Sequence, residues 1–147
     1  MKLSTNSRYG LRAMIDLAAN CVDGSPVALC AIAQRQQVSE SYLEQAFSTL
    51  RRAGLVKSVK GAQGGYLPAA KPSEIKVGDI LRALEGSLQI IDSSADGQED
   101  ALRRCLRENV WEAVDKNVAM LVDALTLEDM AKEYKRMRGS TLLMYNI

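Results

Sequence analysis

The sequence contains no histidine. It therefore lacks the side chain whose charge changes near neutral pH and which is the commonest metal ligand. It also lacks a nucleophile elbow and a phosphate-binding loop. Its one glycine-rich run, Gly61-Ala62-Gln63-Gly64-Gly65, lies between β-rich stretches instead of leading from a strand into a helix. The paired acids Glu99-Asp100 and Glu128-Asp129 fall at expected helix starts, where they complement the helix dipole. These absences leave no constellation for catalysis, and an enzyme is not expected. The three cysteines, at 21, 30 and 105, are too few and too scattered for a disulfide framework. No stretch approaches the ~20 apolar residues of a membrane helix. The first apolar segment, LRAMIDLAAN, is broken by Arg12 and Asp16, so a signal peptide is not expected either. A reducing cytoplasm is the expected compartment, with no membrane partner.

What is present is ordinary in amount and uneven in placement. Hydrophobic residues make up 47% and charged residues 25% of 147, which suits one globular domain with or without an oligomerisation element. The net charge of +1 conceals an asymmetry: residues 1–72 hold nine Lys/Arg against four Asp/Glu, and the rest hold ten against fourteen. A basic N-terminal half suits a polyanion, and an acidic C-terminal half suits dimerisation or sensing.

Hydrophobic spacing organises the chain. Leu11, Met14, Ile15, Leu17 and Ala18 predict a helix over 6–21. Asp23-Gly24-Ser25-Pro26 predicts a turn, and 28–36 a short second helix with Leu29, Ile32 and Ala33 inward. Gln37-Val38-Ser39 is then the turn of a helix-turn-helix. Either Ser39 or Ser41 can cap the third helix, and Ser41 with Glu44 has capping-box spacing. That helix runs to about Ala53 and stops at Gly54, with Leu43, Ala46, Phe47 and Leu50 on one buried face. Leu55 to Val59 reads as a strand, the glycines as a tight turn, and Tyr66-Leu67 as the start of a return strand. A further amphipathic helix over 76–85 closes at Gly86. Residues 87–98 read as a loop. A long helix over 99–124 carries an apolar stripe, among it Leu102, Leu106, Val110, Val118 and Leu121, that needs a partner surface. Thr126 caps a last helix, and Gly139 to Ile147 reads as a tail.

The expected fold is thus mainly α with a small β-wing. A winged helix-turn-helix domain spans 1–86, and 87–147 holds an effector loop, a long dimerisation helix and the tail. A major groove admits one helix, whose N-terminal side chains reach base edges. Ser39, Ser41 and Tyr42 open the candidate recognition helix. Glu44 can accept from cytosine N4, and Gln45 can contact adenine in bidentate fashion. Arg8, Arg51 and Arg52 suit phosphates. Lys57, Lys60 and Gln63 fall on or near the wing, where a basic tip can enter a minor groove. Double-stranded DNA is the expected partner. An alternative of another class is an adaptor that uses the wing or tail for protein contact.

Four stretches carry a resemblance: MKLSTNSRYGLRAMIDLA, SYLEQ, LRRAGLVKSVKGAQGGY and I-x-x-G-D-I-x-x-A-L-E-G. With them, residues 1–86 resemble the Rrf-type family of bacterial winged-helix regulators. The resemblance implies a homodimer on a partly palindromic operator, base contacts around Glu44 and Gln45, and a wing in the minor groove. Its wing position is usually Arg and is Lys60 here. Iron–sulfur members of the family carry three closely spaced cysteines before the long helix. Only Cys105 lies in that region of this chain, so no cluster or other cofactor is expected. The motif T-L-E-D-M-A-x-x-Y and the ending Tyr145-Asn146-Ile147 resemble the cluster-free members that repress cysteine metabolism. That likeness implies O-acetylserine (thiol) lyase as a partner, with the tail entering its active site. An iron–sulfur or redox-stress regulator of the same family is the alternative. Of the candidate redox thiols, Cys30 beside Leu29 and Ile32 is expected to be buried, and Cys21 at a helix end to be accessible. Ser25 stands near the place of a redox-sensitive cysteine in some cluster-free members. Cys105 is expected on the apolar side of the long helix, and Trp111 and Tyr134 are expected to pack.

Overall fold

The computed structural model describes residues 2–92 and 97–145, with side chains as far as residue 140. Helix α1 (Thr5–Asn20) begins where the Ser4 hydroxyl accepts the Ser7 N–H at 3.1 Å. It buries Ala13, Met14 and Leu17. Helix α2 (Leu29–Gln36) turns its Leu29, Ile32 and Ala33 inward, as their spacing predicts. Gln37 then takes a left-handed conformation, φ 56°, and the Val38 N–H returns to the Ala33 carbonyl. This stop sets the entry to α3 (Glu40–Arg52).

The core forms where the faces of these helices meet. Met14, Leu17, Ile32, Leu43, Phe47 and Leu50 are without solvent exposure. Strands β1 (Val56–Val59) and β2 (Gly65–Pro68) pair antiparallel, with Val56 opposite Pro68 and Val59 opposite Gly65. Val27 adds a single bridging pair to Tyr66 on the far side of β2. The Tyr66 ring meets Phe47 edge-on at 4.9 Å, so the wing is seated on the recognition helix. Helix α4 (Val77–Glu85) follows and ends at Gly86, φ 89°.

Three features of the C-terminal half differ from the sequence expectation. The long helix starts at Ala101, because Asp100 and not Glu99 is its cap. It comprises α5 (Ala101–Leu106), a π turn (Arg107–Trp111) and α6 (Glu112–Ala124), with right-handed backbone at each junction. The last helix, α7 (Leu127–Tyr145), continues through Gly139. A glycine inside a helix costs only about 1 kcal/mol, and without a left-handed residue or a proline nothing stops the helix there. The residues read as a free tail are therefore helical as far as Tyr145. Asn146 and Ile147 lie outside the described residues. Thr126 does cap α7: its hydroxyl accepts the Asp129 N–H at 3.0 Å while Asp129 accepts the Thr126 N–H at 3.1 Å.

The two halves share a core. Leu127 is fully buried with the helix-turn-helix residues, and Lys76 and Thr126 form an isolated bridge. Arg82 of α4 forks onto Asp123 of α6 at 2.8 and 2.9 Å. The Arg82 guanidinium holds the Asp123 carboxyl below its ordinary range.

Candidate nucleic-acid interface

The recognition helix is fixed at both ends by its own sequence. The Ser39 hydroxyl accepts the Tyr42 N–H at 3.2 Å, so Ser39 is the cap and Ser41 lies within the first turn. The capping box of Ser41 and Glu44 does not form, since the helix starts two residues earlier than that pairing requires. At the other end Gly54 has φ 78°. The Gly54 and Leu55 N–H groups return to Arg51 and Leu50 at 3.0 Å each. This closes the helix and throws the chain straight into β1.

With Leu43, Ala46, Phe47 and Leu50 buried, the opposite face of α3 is left to solvent. Ser41, Glu44, Gln45, Ser48, Thr49 and Arg52 line one shallow polar surface along it. The structure thus brings together four residues expected to face DNA and adds Ser48 and Thr49. Those two stand on the polar face in the sequence, but nothing there marks them off from solvated neighbours. The Thr49 hydroxyl donates to the Gln45 carbonyl at 3.2 Å, and Arg52 approaches it at 3.4 Å. Arg51 is exposed at the helix C-terminus, the end that favours a cation.

At the other end of α3, Tyr42 packs edge-on against Tyr9 at 5.6 Å. Arg12 lies 5.1 Å and Arg8 6.0 Å from the centre of the Tyr9 ring. Arg8 is therefore brought into a cluster with the start of α3. Tyr9 and Arg12 belong to the same cluster and carried no separate signal in the sequence. Arg12 also donates to the Gln36 carbonyl at 2.9 Å, pinning the end of α2.

Lys57 is exposed on β1, and Lys60 and Gln63 are exposed at the wing tip. The tip is closed by the Gly64 N–H on the Gly61 carbonyl at 3.0 Å. A Cβ at Gly64 would stand 2.0 Å from the Val59 carbonyl oxygen, so this turn requires glycine. Three separate pieces, the start of α1, the outer face of α3 and the wing, thus present basic and amide side chains.

Beneath this surface lies a charge that sequence reading did not single out. Asp16 is fully buried and accepts from Arg35 at 2.7 and 3.0 Å, from Gln36 at 2.7 Å and from Asn20 at 3.3 Å. It ties α1 to α2 and so sets where the turn into α3 begins. The signal was an acid flanked by Ile15 and Leu17 on an otherwise apolar face.

Among the cysteines, Cys30 departs from expectation. Cys30 is exposed, because Leu29, Ile32 and Ala33 take the inward face of α2 and Cys30 points about 100° away from Leu29. Cys21 is half-buried near the Ser25 carbonyl, and burial pushes its thiol pKa up, away from the reactive range. Cys105 is exposed on α5. The three thiols sit on different elements. Among the described residues no three His, Cys, Asp or Glu side chains gather so as to hold a metal ion.

The geometry defines a DNA-binding winged helix-turn-helix protein of the transcription-regulator class. The chain matches the Rrf2 family, described as an iron-dependent transcriptional regulator, over residues 3–133, and it belongs to that family. It is 45% identical to the transcriptional regulator CymR of Bacillus subtilis over 131 residues, which is 89% of this chain and 90% of that protein. The solved structure of B. subtilis CymR, the global cysteine regulator, aligns with TM-score 0.77 and 41% identity, over 90% of this chain and 98% of that one. That of T. potens IscR aligns with TM-score 0.70 and 48% identity, over 91% and 88%. These relatives are transcriptional regulators, not enzymes. Among the described residues the separate thiols and the lack of a gathered donor set do not fit the family's iron. Among the described residues no helix is long and apolar enough to cross a membrane.

Proposed function

We propose that this protein is a repressor that binds a palindromic operator as a homodimer in the bacterial cytoplasm. The observation that carries the reading is the solvent-facing polar surface from Ser41 to Arg52, seated beside a wing with a basic tip. Glu44 and Gln45 read base edges in the major groove. Arg8, Arg51 and Arg52 hold the phosphates, Ser39, Ser41 and Tyr42 meet the DNA at the start of the recognition helix, and Lys57, Lys60 and Gln63 bring the wing to the minor groove. The exposed stripe on α5 and α6, with Leu102 70% and Leu121 65% exposed, supports a second copy as its cover.

Binding to a palindromic duplex tests the reading. Affinity must fall steeply with salt, because phosphate contacts release counterions. Glu44→Ala relaxes preference at one position per half-site, whereas Lys60→Ala weakens binding evenly across operator variants. Salt-insensitive association would point instead to a protein-interaction adaptor.

The likeness to the cysteine regulator supports control of cysteine or sulfur metabolism as the target. The scattered cysteines favour it over an iron–sulfur regulator. We extend it to O-acetylserine (thiol) lyase as partner, with the Tyr145-Asn146-Ile147 carboxylate captured in that enzyme's pocket. Lyase pull-down with the full chain and with Ile147 deleted tests this, and equal capture by both removes the partner.

A further inference from the structure

The turn between α2 and α3 is gripped on both sides by one side chain. Gln36 is the last residue of α2, and its carbonyl is among those that a helix end leaves without an intrahelical partner. The backbone bonds that close α2 run to the Ala33 and Gln34 carbonyls. The Gln36 carbonyl instead accepts from the Arg12 guanidinium at 2.9 Å. A cation in that place also complements the negative end of the helix dipole. Beyond the turn, the same guanidinium lies 5.1 Å from the centre of the Tyr9 ring. That ring meets Tyr42, in the first turn of α3, edge-on at 5.6 Å. A guanidinium within about 6 Å of a ring centre is attracted to its face.

Arg12 borders a different surface from the one that meets DNA. It lines the groove between α1, the end of α2 and α7, together with Ile15, Met130 and Tyr134. None of the residues that line this groove is assigned to DNA. The attachment of α2 to α1 does not depend on Arg12, because the buried Asp16 carboxylate already takes the Arg35 and Gln36 side chains. An exposed side chain of this kind adds little to overall stability. What it governs is the direction in which the chain leaves α2 and enters α3.

Resting on the reading of α3 as the recognition helix, we propose that Arg12 is a positioning residue for operator recognition. It touches no DNA, and it holds the first turn of α3 at the angle to α2 that brings Glu44 and Gln45 to the bases. Without its two contacts the turn samples other arrangements. The apparent affinity then falls by the fraction of time spent in the competent one.

The probes are a duplex selected by the wild-type protein from a random-sequence pool and an unrelated duplex of equal length. Binding of the full chain to each is measured over a series of salt concentrations. Arg12→Met keeps the apolar stem and loses the donors. Its affinity for the selected duplex falls about tenfold, the worth of one charge-assisted hydrogen bond, with a much smaller change on the unrelated duplex. The slope of log affinity against log salt stays at the wild-type value, whereas loss of a phosphate contact lowers it by about one. Arg12→Lys retains a charged donor for the carbonyl and regains most of the loss. Tyr9→Leu breaks the link to Tyr42 and weakens selected binding with the same unchanged slope, a second reading should Arg12→Met fold poorly. The double variant loses less than the sum of the two. Unfolding midpoints within about 2 °C of wild type separate positioning from a general loss of fold. Unchanged affinity in Arg12→Met, a slope lowered by about one, an equal loss on both duplexes, or no recovery in Arg12→Lys overturns the proposal. A wild-type protein that selects no duplex overturns the reading of α3 itself.

Discussion

The buried carboxylate of Asp16 gives the sharpest quantitative test of how the recognition helix is held. Asp16 has no solvent exposure, whereas the Arg35 side chain remains 35% exposed. The two partners of the same ion pair should therefore fail differently. In Arg35→Ala the carboxylate stays buried with only the Gln36 and Asn20 amides to answer it. Stranding a buried charge costs about 3–5 kcal/mol. In Asp16→Ala the guanidinium swings into water, and the loss is mainly that of charge-assisted hydrogen bonds at roughly 1.5–3 kcal/mol, not additive over the fork. Removing both partners strands nothing, so the double variant should be no less stable than Arg35→Ala alone. A double-mutant cycle from urea unfolding, followed by far-UV circular dichroism at one protein concentration, reads all three values. Fixed concentration matters because a dimer's apparent stability depends on it. An Asp16→Ala loss equal to or above that of Arg35→Ala, or a coupling near zero, would refute the assignment of Asp16 as the charge that ties α1 to α2.

The other predictions concern the clamps around the interface. Gly78→Ala places a Cβ 2.0 Å from the Asp123 carboxylate and 2.9 Å from Arg82, so the α4–α6 fork must open. Its thermal midpoint should fall by the equivalent of about 1–3 kcal/mol, and an unchanged midpoint would show that the fork is dispensable. Ser39→Ala removes the cap of α3 and should cost about 1 kcal/mol, with a matching loss of operator affinity in gel shift if the first turn frays. Gly65→Ala sets a Cβ 2.3 Å from the Val27 carbonyl. It should unseat the wing and weaken operator binding with little change in helix content. Hydrogen bonds from Ser7 and Ser4 hold the Glu85 carboxyl below its ordinary 4.5. A lowered carboxyl stabilises the fold above its unfolded value and loses that stability as pH falls through the folded one. Melting across the acid range should therefore show a steeper loss in wild type than in Glu85→Gln, and parallel curves would contradict it.

The N-terminal half was legible because its instructions are local. Ser39, Gly54 and the Leu43–Leu50 spacing each act within a turn or two of themselves, and together they place α3 before any distant contact forms. The same holds for the wing, where Gly61 and Gly64 admit few other backbones. The locality also explains the errors. Ser39 and Ser41 both satisfy a capping pattern, and only the length of the turn after Gln37, which adopts the left-handed conformation, selects the first. Cys30 was misplaced because the general preference of free cysteine for burial was set above its spacing, which puts it about 100° from Leu29 and off the inward face. The Tyr9–Tyr42 contact and the bonds of Asp16 to Arg35 and Gln36 join residues from 19 to 33 positions apart. No periodicity announces a pairing at that distance.

The C-terminal half resisted reading for a different reason. Its apolar stripe was visible at three- to four-residue spacing, yet in the single chain Leu102 and Leu121 remain mostly exposed. A stripe that satisfies its own chain would have been buried by it, as Leu127 is by the helix-turn-helix core. The part of α5 and α6 that stays outside therefore specifies a surface and leaves its complement to another molecule. That division has a mechanical consequence. Helix α6 is joined to α4 through Arg82 and Asp123, and α7 is joined to the core through Leu127. Whatever covers the stripe acts on helices already tied to the DNA-facing half. A signal received there needs no flexible linker to reach α3. It has only to move α6 against α4, and the fork between Arg82 and Asp123 is where such a movement must first be felt.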